Sequence, residues 1–188
     1  MIIFEEISHS AANGFVGRFH RHSCRLPRVQ IRFSVGMIID GSLAGVAMVG
    51  NPCGRTNNLG VVEVRRVCFD PDLNFGKIRR HYSPRRNKRE QTLRNIPVIM
   101  HGRDDGLTLW GRWQGLPKPQ EIPSLFMRYV EAMVSLILPS KNTIWTYIRS
   151  DERGLYLDKA GYEVDKTFTR NGIEKLRYCK RVLKENPS

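Results

Sequence analysis

The chain has 188 residues, the length of one ordinary domain and short for two, and 40% of them are hydrophobic, as expected for a globular fold. Its 31 Lys and Arg residues against 18 Asp and Glu residues give a formal net charge of +13. A surface of this sign attracts polyanions, so the charge favours nucleic acid as partner, then an anionic cofactor, and leaves an anionic membrane as the least favoured.

Cysteine spacing and the amino terminus narrow the class of protein further. Cys24, Cys53, Cys68 and Cys179 form no C-x-x-C pair, which indicates reduced thiols, most of them buried, and neither a zinc site nor a disulfide framework. The first six residues include acidic side chains where a signal peptide has basic ones, and no apolar run approaches the ~18 residues of a membrane span. We therefore expect a cytoplasmic protein.

The beginning of the chain predicts a strand, a helix and a polar loop. A short apolar start favours the strand, and Ser8 or Ser10 would cap the helix. The loop at 19–27 holds His20 and His22 among basic residues. Imidazole titrates near neutrality and ligates iron or zinc, so these histidines could form a general base, a nucleic-acid contact or a metal site. Simple solvation is the alternative.

Three β-prone runs follow, at residues 31–39, 42–49 and 61–69. The first two are separated by Asp40-Gly41, a dipeptide typical of tight hairpins. We expect the three runs to form an antiparallel meander.

The stretch Val61 to Asp72 carries charges inside an apolar strand that stops at Asp-Pro. Burying charge is costly unless it is paired or used, so Arg66 and Asp70 mark either a structural ion pair or the edge of a pocket, and we predict the pocket. Alternation puts Glu63 on the opposite side from Arg66 unless a bulge intervenes. On the predicted side of Arg66 lie Val62, Val64, Cys68 and Asp70.

Residues 73–122 are interpreted as a basic element inserted into a single domain that spans residues 1–188. Tyr82, Trp110 and Trp113 accompany its cations, so phosphate contact and base stacking are both available, with a solvated charged face as the alternative. Turn residues at 104–106 between two short β-prone runs predict a second hairpin. The predicted nucleic-acid contacts are Arg79, Arg80, Arg85, Arg86, Lys88 and Arg89.

The last third of the chain predicts a helix, a strand, a short helix and a hairpin. The helix opens at Pro123-Ser124 and ends before Pro139, with an apolar stripe wide enough to cover a sheet. The strand covers 143–148, the short helix covers 154–159, and the final hairpin turns around Arg170-Asn171-Gly172.

Polar residues in this part are further candidates. Ser124 lies in the first turn of a helix, where it could bind an anion or only cap the helix. Tyr147, Ser150 and Asp151 fall at the end of the strand. Tyr147 could act as an acid or stack on a base, whereas Asp151 could cap the next helix.

The order of these elements resembles the GNAT (Gcn5-related N-acetyltransferase) superfamily, and residues 155–162, LYLDKAGY, resemble its LYxKxGF motif. The resemblance implies an α/β (α+β) fold, a mixed and mostly antiparallel central sheet flanked by helices, with the basic insertion after the fourth strand. It also implies a substrate cleft between the strands at 61–69 and 143–148. Tyr156 would then be the general acid, with a place in the core as the alternative.

The same resemblance implies acetyl-coenzyme A or another acyl or alkyl donor. Splayed strands leave backbone donors free, and these can bind an acyl group or an oxyanion. We assign cofactor binding to Val67, Cys68, Ser124 and Ser150. The usual pyrophosphate loop, Q/R-x-x-G-x-G/A, is absent after Asp72.

Several blocks resemble phage and prophage proteins of the Mom type, a GNAT-related group that modifies adenine in DNA. This resemblance implies a bacterial host or phage origin, DNA as partner, and iron at His20 and His22. The blocks are His20-Arg21-His22-Ser23 with Leu26-Pro27, residues 33–36, residues 45–52, Glu63-Val64-Arg65-Arg66-Val67-Cys68, and Ser124.

The leading hypothesis from the sequence is a Mom-like transferase that acts on a nucleobase in DNA, at the adenine exocyclic amine, with the base flipped into the cleft. An acyl-coenzyme A-dependent N-acyltransferase for a small amine or a protein is the second hypothesis. A GNAT-like protein that binds nucleic acid without catalysis is the third. The predicted catalytic residues are His20, His22, Arg66, Asp70, Tyr147 and Tyr156.

Overall fold

The structure is a computed structural model that describes residues 2–20, 26–52, 60–73, 98–101, 108–111, 121–152 and 154–182. Its strands are β1 (Ile2–Glu6), β2 (Ile31–Ile39), β3 (Ser42–Gly50), β4 (Val61–Phe69), β5 (Val98–His101), β6 (Thr108–Gly111), β7 (Thr143–Arg149), β8 (Glu163–Arg170) and β9 (Ile173–Arg181). Its α-helices are α1 (His9–Phe19), α2 (Ile122–Ile137) and α3 (Leu155–Ala160).

These nine strands form one sheet in the order β6-β5-β1-β2-β3-β4-β7-β9-β8. Two neighbouring pairs, β1 with β5 and β4 with β7, are parallel, and all the others are antiparallel. The mixed, mostly antiparallel sheet and the predicted meander of β2, β3 and β4 are therefore confirmed.

The two predicted hairpin turns owe their tightness to left-handed backbone. Asp40 has φ 50° and Gly41 φ 80°, and Asn171 and Gly172 have φ 54° and 72°. Two successive residues with positive φ give a turn whose twist matches that of the strands it joins, which is why Asp-Gly and Asn-Gly occur at these positions.

The hairpin predicted within residues 73–122 is also present, because β5 and β6 pair antiparallel from Val98 opposite Gly111 to His101 opposite Thr108. It extends the sheet at its edge, where β5 runs parallel to β1. Three strands, β1, β2 and β3, separate it from β4. The basic residues that precede it, at 77–94, lie outside the described residues.

Helices cover both faces of the sheet. The α2 face of the sheet is the side on which α2 and α3 pack with Phe4, Val62 and Ile144. The α1 face is the opposite side, where α1 packs on Val46 and Met48. Each large apolar side chain buried in this way contributes about 1.5–3 kcal/mol relative to exposure, so the stripe predicted for α2 holds that helix to the sheet.

The helix boundaries agree with their predicted signals. Ser8, and not Ser10, caps α1, since its Oγ accepts a hydrogen bond from the Ala11 amide at 3.1 Å. The α3 helix stops at Gly161, whose φ is 85°. Within the described ranges, no helix has the length and apolar character needed to cross a bilayer.

Candidate active site

Strands β4 and β7 separate partway along their length. They are paired over four positions, from Val61 opposite Thr143 to Val64 opposite Thr146. Beyond this point β4 continues beside β3 and β7 continues beside β9. At the last paired position the Thr146 hydroxyl donates a hydrogen bond to the Val64 carbonyl oxygen at 3.1 Å. The separation opens a cleft in the sheet, as the resemblance implied.

The cleft has a volume of about 590 Å³. Residues of both faces of the sheet line it, so it passes through the sheet where the strands diverge. The lining residues are His20, Glu63, Val64, Arg65, Arg66, Val67, Thr146, Tyr147, Ile148, Arg149, Glu152, Tyr156, Phe168, Arg170, Ile173 and Lys175.

A β-bulge at Arg65 changes the direction of the side chains along β4. Met48 lies opposite Arg66 and the next residue, Val49, lies opposite Val64, so β4 has one extra residue. Such an insertion reverses the alternation beyond it. Val64 therefore packs on the α2 face, whereas Cys68, an even number of residues further on, packs on the α1 face.

The prediction that Arg66 lies on the same face of β4 as Val62 and Val64 is wrong. Arg66 shares a face with Cys68 but not with Val62 or Val64, because the bulge lies between them. The same bulge brings Glu63 and Arg66 to one side, and both line the cleft.

Glu63 thus lies on the opposite side from the one that strict strand alternation predicts. It is only 6% exposed, and the register sets it beside Trp145 of β7. Its charge is close enough to Tyr147 to raise the pKa of that phenol. The signal that could have revealed it is the Arg65-Arg66 pair, which interrupts the apolar alternation of the strand.

Tyr147 lies in the cleft as predicted. Burial is the main cause that raises the pKa of its phenol, the charge of Glu63 adds to it, and a hydrogen bond with Arg177 acts in the opposite direction. The Tyr147 ring meets the Phe168 ring edge-on, with centroids 5.7 Å apart. The phenol therefore stays protonated at neutral pH, mainly because it is buried.

Arg177 is not in the lining of the cleft but hydrogen-bonds to Tyr147, which is. Its guanidinium lies 4.1 Å from the centroid of the Trp145 ring. It also donates two hydrogen bonds to Asp165, at 2.8 and 2.7 Å. A planar cation clamped in this way holds both the indole and the Tyr147 hydroxyl in position.

Tyr156 reaches the cleft from the α2 face. It packs against the core, with its ring 5.9 Å from that of Phe69 in an edge-on contact, and it lines the cleft as well. Burial raises the pKa of Tyr156 well above its ordinary value. Both interpretations of this residue therefore fit its position, and its hydroxyl stays protonated at neutral pH.

Ser124 is buried in the first turn of α2, with 5% of its surface exposed. The residue before the helix is Glu121, and no side chain makes a capping hydrogen bond there. Among the described residues, nothing bonds to the Ser124 Oγ. The contacts therefore do not support the capping interpretation, and Ser124 is not among the residues that line the cleft.

Three other predicted residues lie away from the cleft. Asp70 shapes the turn after β4, where its Oδ1 accepts a hydrogen bond from the Asp72 amide at 2.9 Å. Cys68 is buried on the α1 face, and burial raises its pKa to about 11. Ser150 is exposed in the turn after β7, where its amide donates to the Glu174 carbonyl. Of the predicted backbone donors, Val67 does line the cleft.

His20 lines the cleft at the end of α1, where its amide donates a hydrogen bond to the Val16 carbonyl oxygen. His22 lies outside the described residues. In the part of the chain that the structure describes, no group of three or more His, Cys, Asp or Glu residues could hold a metal ion. The predicted nucleic-acid contacts also lie outside the described residues: Arg79, Arg80, Arg85, Arg86, Lys88 and Arg89.

The charge lining the cleft is mostly positive. Two carboxylates, Glu63 and Glu152, face a larger set of cations. A positive cleft with low-dielectric walls concentrates anions. The cations are Arg65, Arg66, Arg149, Arg170 and Lys175.

Solved structures share this architecture. An aminoglycoside acetyltransferase in complex with coenzyme A matches with TM-score 0.56 and 11% identity, over 96% of this chain and 95% of that chain. A GNAT-family acetyltransferase from Streptococcus pneumoniae matches with TM-score 0.54 and 9% identity, over 97% and 99%. The ribosomal-protein-S18-alanine N-acetyltransferase from Escherichia coli matches with TM-score 0.52 and 10% identity, over 100% and 97%.

No family model matches the chain, and no curated protein matches its sequence. At identities this low, the similarity to solved structures establishes the fold and not the reaction. The strand order, the splayed parallel pair and these structural neighbours agree: the chain has the GNAT fold.

Proposed function

We propose that the protein is an N-acyltransferase that uses an acyl-coenzyme A donor and an amine acceptor. The observation that carries the proposal is the cleft between β4 and β7, where a bulge brings the buried carboxylate of Glu63 to the point at which the strands separate. The GNAT acetyltransferases of the same fold support it.

The residues of the cleft fit such a donor. The pairing of β4 with β7 ends at Val64, opposite Thr146. The carbonyls of Val64 and Arg65 already accept hydrogen bonds from the side chains of Thr146 and Arg66. Backbone N–H groups of β4 beyond this point are our candidates for binding a pantetheine arm or an acyl oxygen. The amino end of α2, where Ser124 lies, suits a phosphate group through the helix dipole.

When bound, the donor supplies a thioester carbon that an amine can attack. Glu63 is placed to accept the proton that the attacking amine loses, because its carboxylate lines the cleft and is shielded from bulk water. The amides at the bulge would stabilise the negative charge that develops on the acyl oxygen. Tyr156, whose raised pKa keeps it protonated, would donate a proton to the departing thiol.

Transfer can be tested directly with a set of primary amines and acetyl-coenzyme A, following free thiol and the mass of the acylated product. The proposal expects thiol release that depends on the amine and a product heavier by one acetyl group. Release of thiol without an acylated amine would point to hydrolysis and contradict the proposal.

A second candidate keeps the fold and changes the acceptor to a nucleobase in DNA. It is supported by the blocks that resemble Mom-type proteins and by the net charge of +13. About half of this net charge lies in the basic element at residues 73–122. Tyr147 and Phe168 place aromatic rings in the cleft, and such rings suit a flipped base. Iron at His20 and His22 stays a prediction of that resemblance, as does DNA as partner.

Base composition distinguishes the two candidates. Mass analysis of digested DNA from cells that express the wild type should show a modified adenosine that disappears in the Glu63→Gln variant. Unaltered nucleosides in both would refute the second candidate and leave the first intact. Salt-sensitive DNA binding with no modification would instead favour the non-catalytic alternative.

A further inference from the structure

On its α1 face, the part of the sheet formed by β7, β9 and β8 carries a row of cations that line the cleft. Arg149 lies opposite Lys175, and Lys175 lies opposite Phe168, so the three side chains form one row across the strands. Arg170 follows Phe168 by two residues and thus points to the same side. All four residues line the cleft.

Two cations, one in this row and one next to it, form ion pairs with carboxylates. Arg149 pairs with Asp151 at 2.7 Å, and Arg177 pairs with Asp165 at 2.7 Å. Across the residues that the structure describes, Arg170 and Lys175 have neither an ion pair nor a hydrogen bond from their side chains. Arg170 and Lys175 lie on the same face of neighbouring strands, where like charges repel each other, and an anion that binds between them relieves that repulsion.

Arg170 and Lys175 lie on the opposite face of the sheet from the proposed donor site. Ser124 and Tyr156 lie on the α2 face of the sheet, where the donor would enter. Arg170 and Lys175 lie on the α1 face, on the same side of the sheet as the Tyr147 and Phe168 rings. An anion bound there would therefore belong to the acceptor and not to the donor.

We propose that Arg170 and Lys175 form a subsite for a phosphate group carried by the acceptor. The inference rests on the proposed function and narrows its substrate class to phosphorylated amines. A guanidinium and an ammonium together suit phosphate, because the first binds two oxygens at once and the second acts as a point charge. The Phe168 ring next to them suits a flat apolar part of the same acceptor.

The first experiment compares 2-aminoethyl phosphate with ethylamine as acceptors, using acetyl-coenzyme A as donor. Wild type should prefer the phosphorylated amine by at least about tenfold in kcat/KM, and the double variant Arg170→Ala, Lys175→Ala should lose most of that preference. The matched control is Arg128→Ala, Lys159→Ala, which removes the same charge from exposed positions on α2 and α3. Equal use of both amines by wild type overturns the subsite and leaves the acyltransferase proposal standing.

The second experiment needs no turnover, so it still decides the matter if no amine is acylated. Adenosine monophosphate and a short single-stranded oligonucleotide are titrated into wild type and both double variants by calorimetry. Binding lost in Arg170→Ala, Lys175→Ala and kept in the control supports the subsite, whereas equal binding by all three overturns it. If the subsite is supported, much tighter binding of the oligonucleotide identifies a strand as the source of the phosphate, and equal binding identifies a small molecule.

Discussion

The hydroxyl of Thr146 donates a hydrogen bond to the carbonyl oxygen of Val64 at 3.1 Å, at the last position where β4 and β7 are paired. This side-chain hydrogen bond thus lies where the backbone pairing of the two strands ends. The bond is buried, so it fixes the closed end of the cleft and defines where the open part begins.

Replacing Thr146 tests this junction. The Thr146→Val variant keeps the shape of the side chain but leaves the Val64 carbonyl without its partner, and we expect a loss of about 1–3 kcal/mol in the free energy of unfolding. Thr146→Ser keeps the hydroxyl and should lose less. Urea denaturation of the three proteins measures the difference. Equal stability of the Val and Ser variants would show that the bond contributes nothing.

Glu63→Gln tests the assignment of the proton acceptor. The amide has nearly the same size as the carboxylate, so folding should be kept, whereas kcat/KM for acyl transfer should fall about 10²–10⁴-fold because the group that accepts the proton is gone. Thiol release at saturating donor measures the effect, and circular dichroism checks the fold. The matched control is Glu174→Gln on the exposed end of β9, which should keep wild-type activity. Activity of Glu63→Gln equal to that of the control would remove Glu63 from the mechanism.

Alkaline pH should destabilise the protein through its tyrosines. Burial is the main cause that raises the pKa of each tyrosine that the structure describes, above the ordinary value of 10.0. The folded state thus binds more protons than the unfolded state above pH 10.0, so stability is complete below that pH and falls as the pH rises further. These tyrosines are Tyr129, Tyr147, Tyr156, Tyr162 and Tyr178.

Urea denaturation at about pH 8 and about pH 10.5 measures this loss, and tyrosinate absorbance should appear together with unfolding. The Tyr156→Phe variant should show a weaker dependence on pH. Tyrosinate absorbance that titrates near pH 10.0 in the folded protein would contradict the burial of these phenols.

An ion pair joins α2 to β9 beneath α3. Lys180 Nζ lies 2.7 Å from Glu131 Oε2 and also donates a hydrogen bond to the Ala160 carbonyl. The two side chains are 23% and 14% exposed, between the surface and buried cases. Lys180→Ala should therefore cost about 2 kcal/mol, between the ~1 of a surface pair and the ~3–5 of a buried one.

The double variant Glu131→Leu, Lys180→Met separates the pair from its surroundings. Because burial raises the pKa of Glu131, the unpaired carboxylate is costly, and removing both charges should recover much of the stability lost in Lys180→Ala. Thermal denaturation compares the three proteins. A double variant less stable than Lys180→Ala would show that the pair stabilises the fold beyond the cost of burying it.

Much of the fold could be predicted because its signals are local. Asp40-Gly41 and Asn171-Gly172 turn where their positive φ values require, and the apolar stripe of α2 faces the sheet. The order of the elements then led to the GNAT fold. The position of the hairpin at 98–111 beside β1 depends on a pairing distant in sequence, which no local pattern encodes.

The site was harder to predict than the fold. Four of the predicted catalytic residues line the cleft: Arg66 and Tyr147 are predicted from their strands, His20 from the loop after α1, and Tyr156 from the GNAT resemblance. Strict alternation predicts the wrong side for Glu63, because it leaves out the bulge, which depends on the pairing of β3 with β4 and is signalled in the sequence only by the Arg65-Arg66 pair.

Calorimetric titration with acetyl-coenzyme A tests most directly whether this cleft is a donor site. Saturable heat with a dissociation constant between about 1 µM and 1 mM is expected for wild type, in the range in which enzymes hold their substrates. Binding should be weaker in Thr146→Val, in which the junction of β4 and β7 is loosened. No saturable heat at about 1 mM ligand would contradict acyl-coenzyme A binding by this cleft.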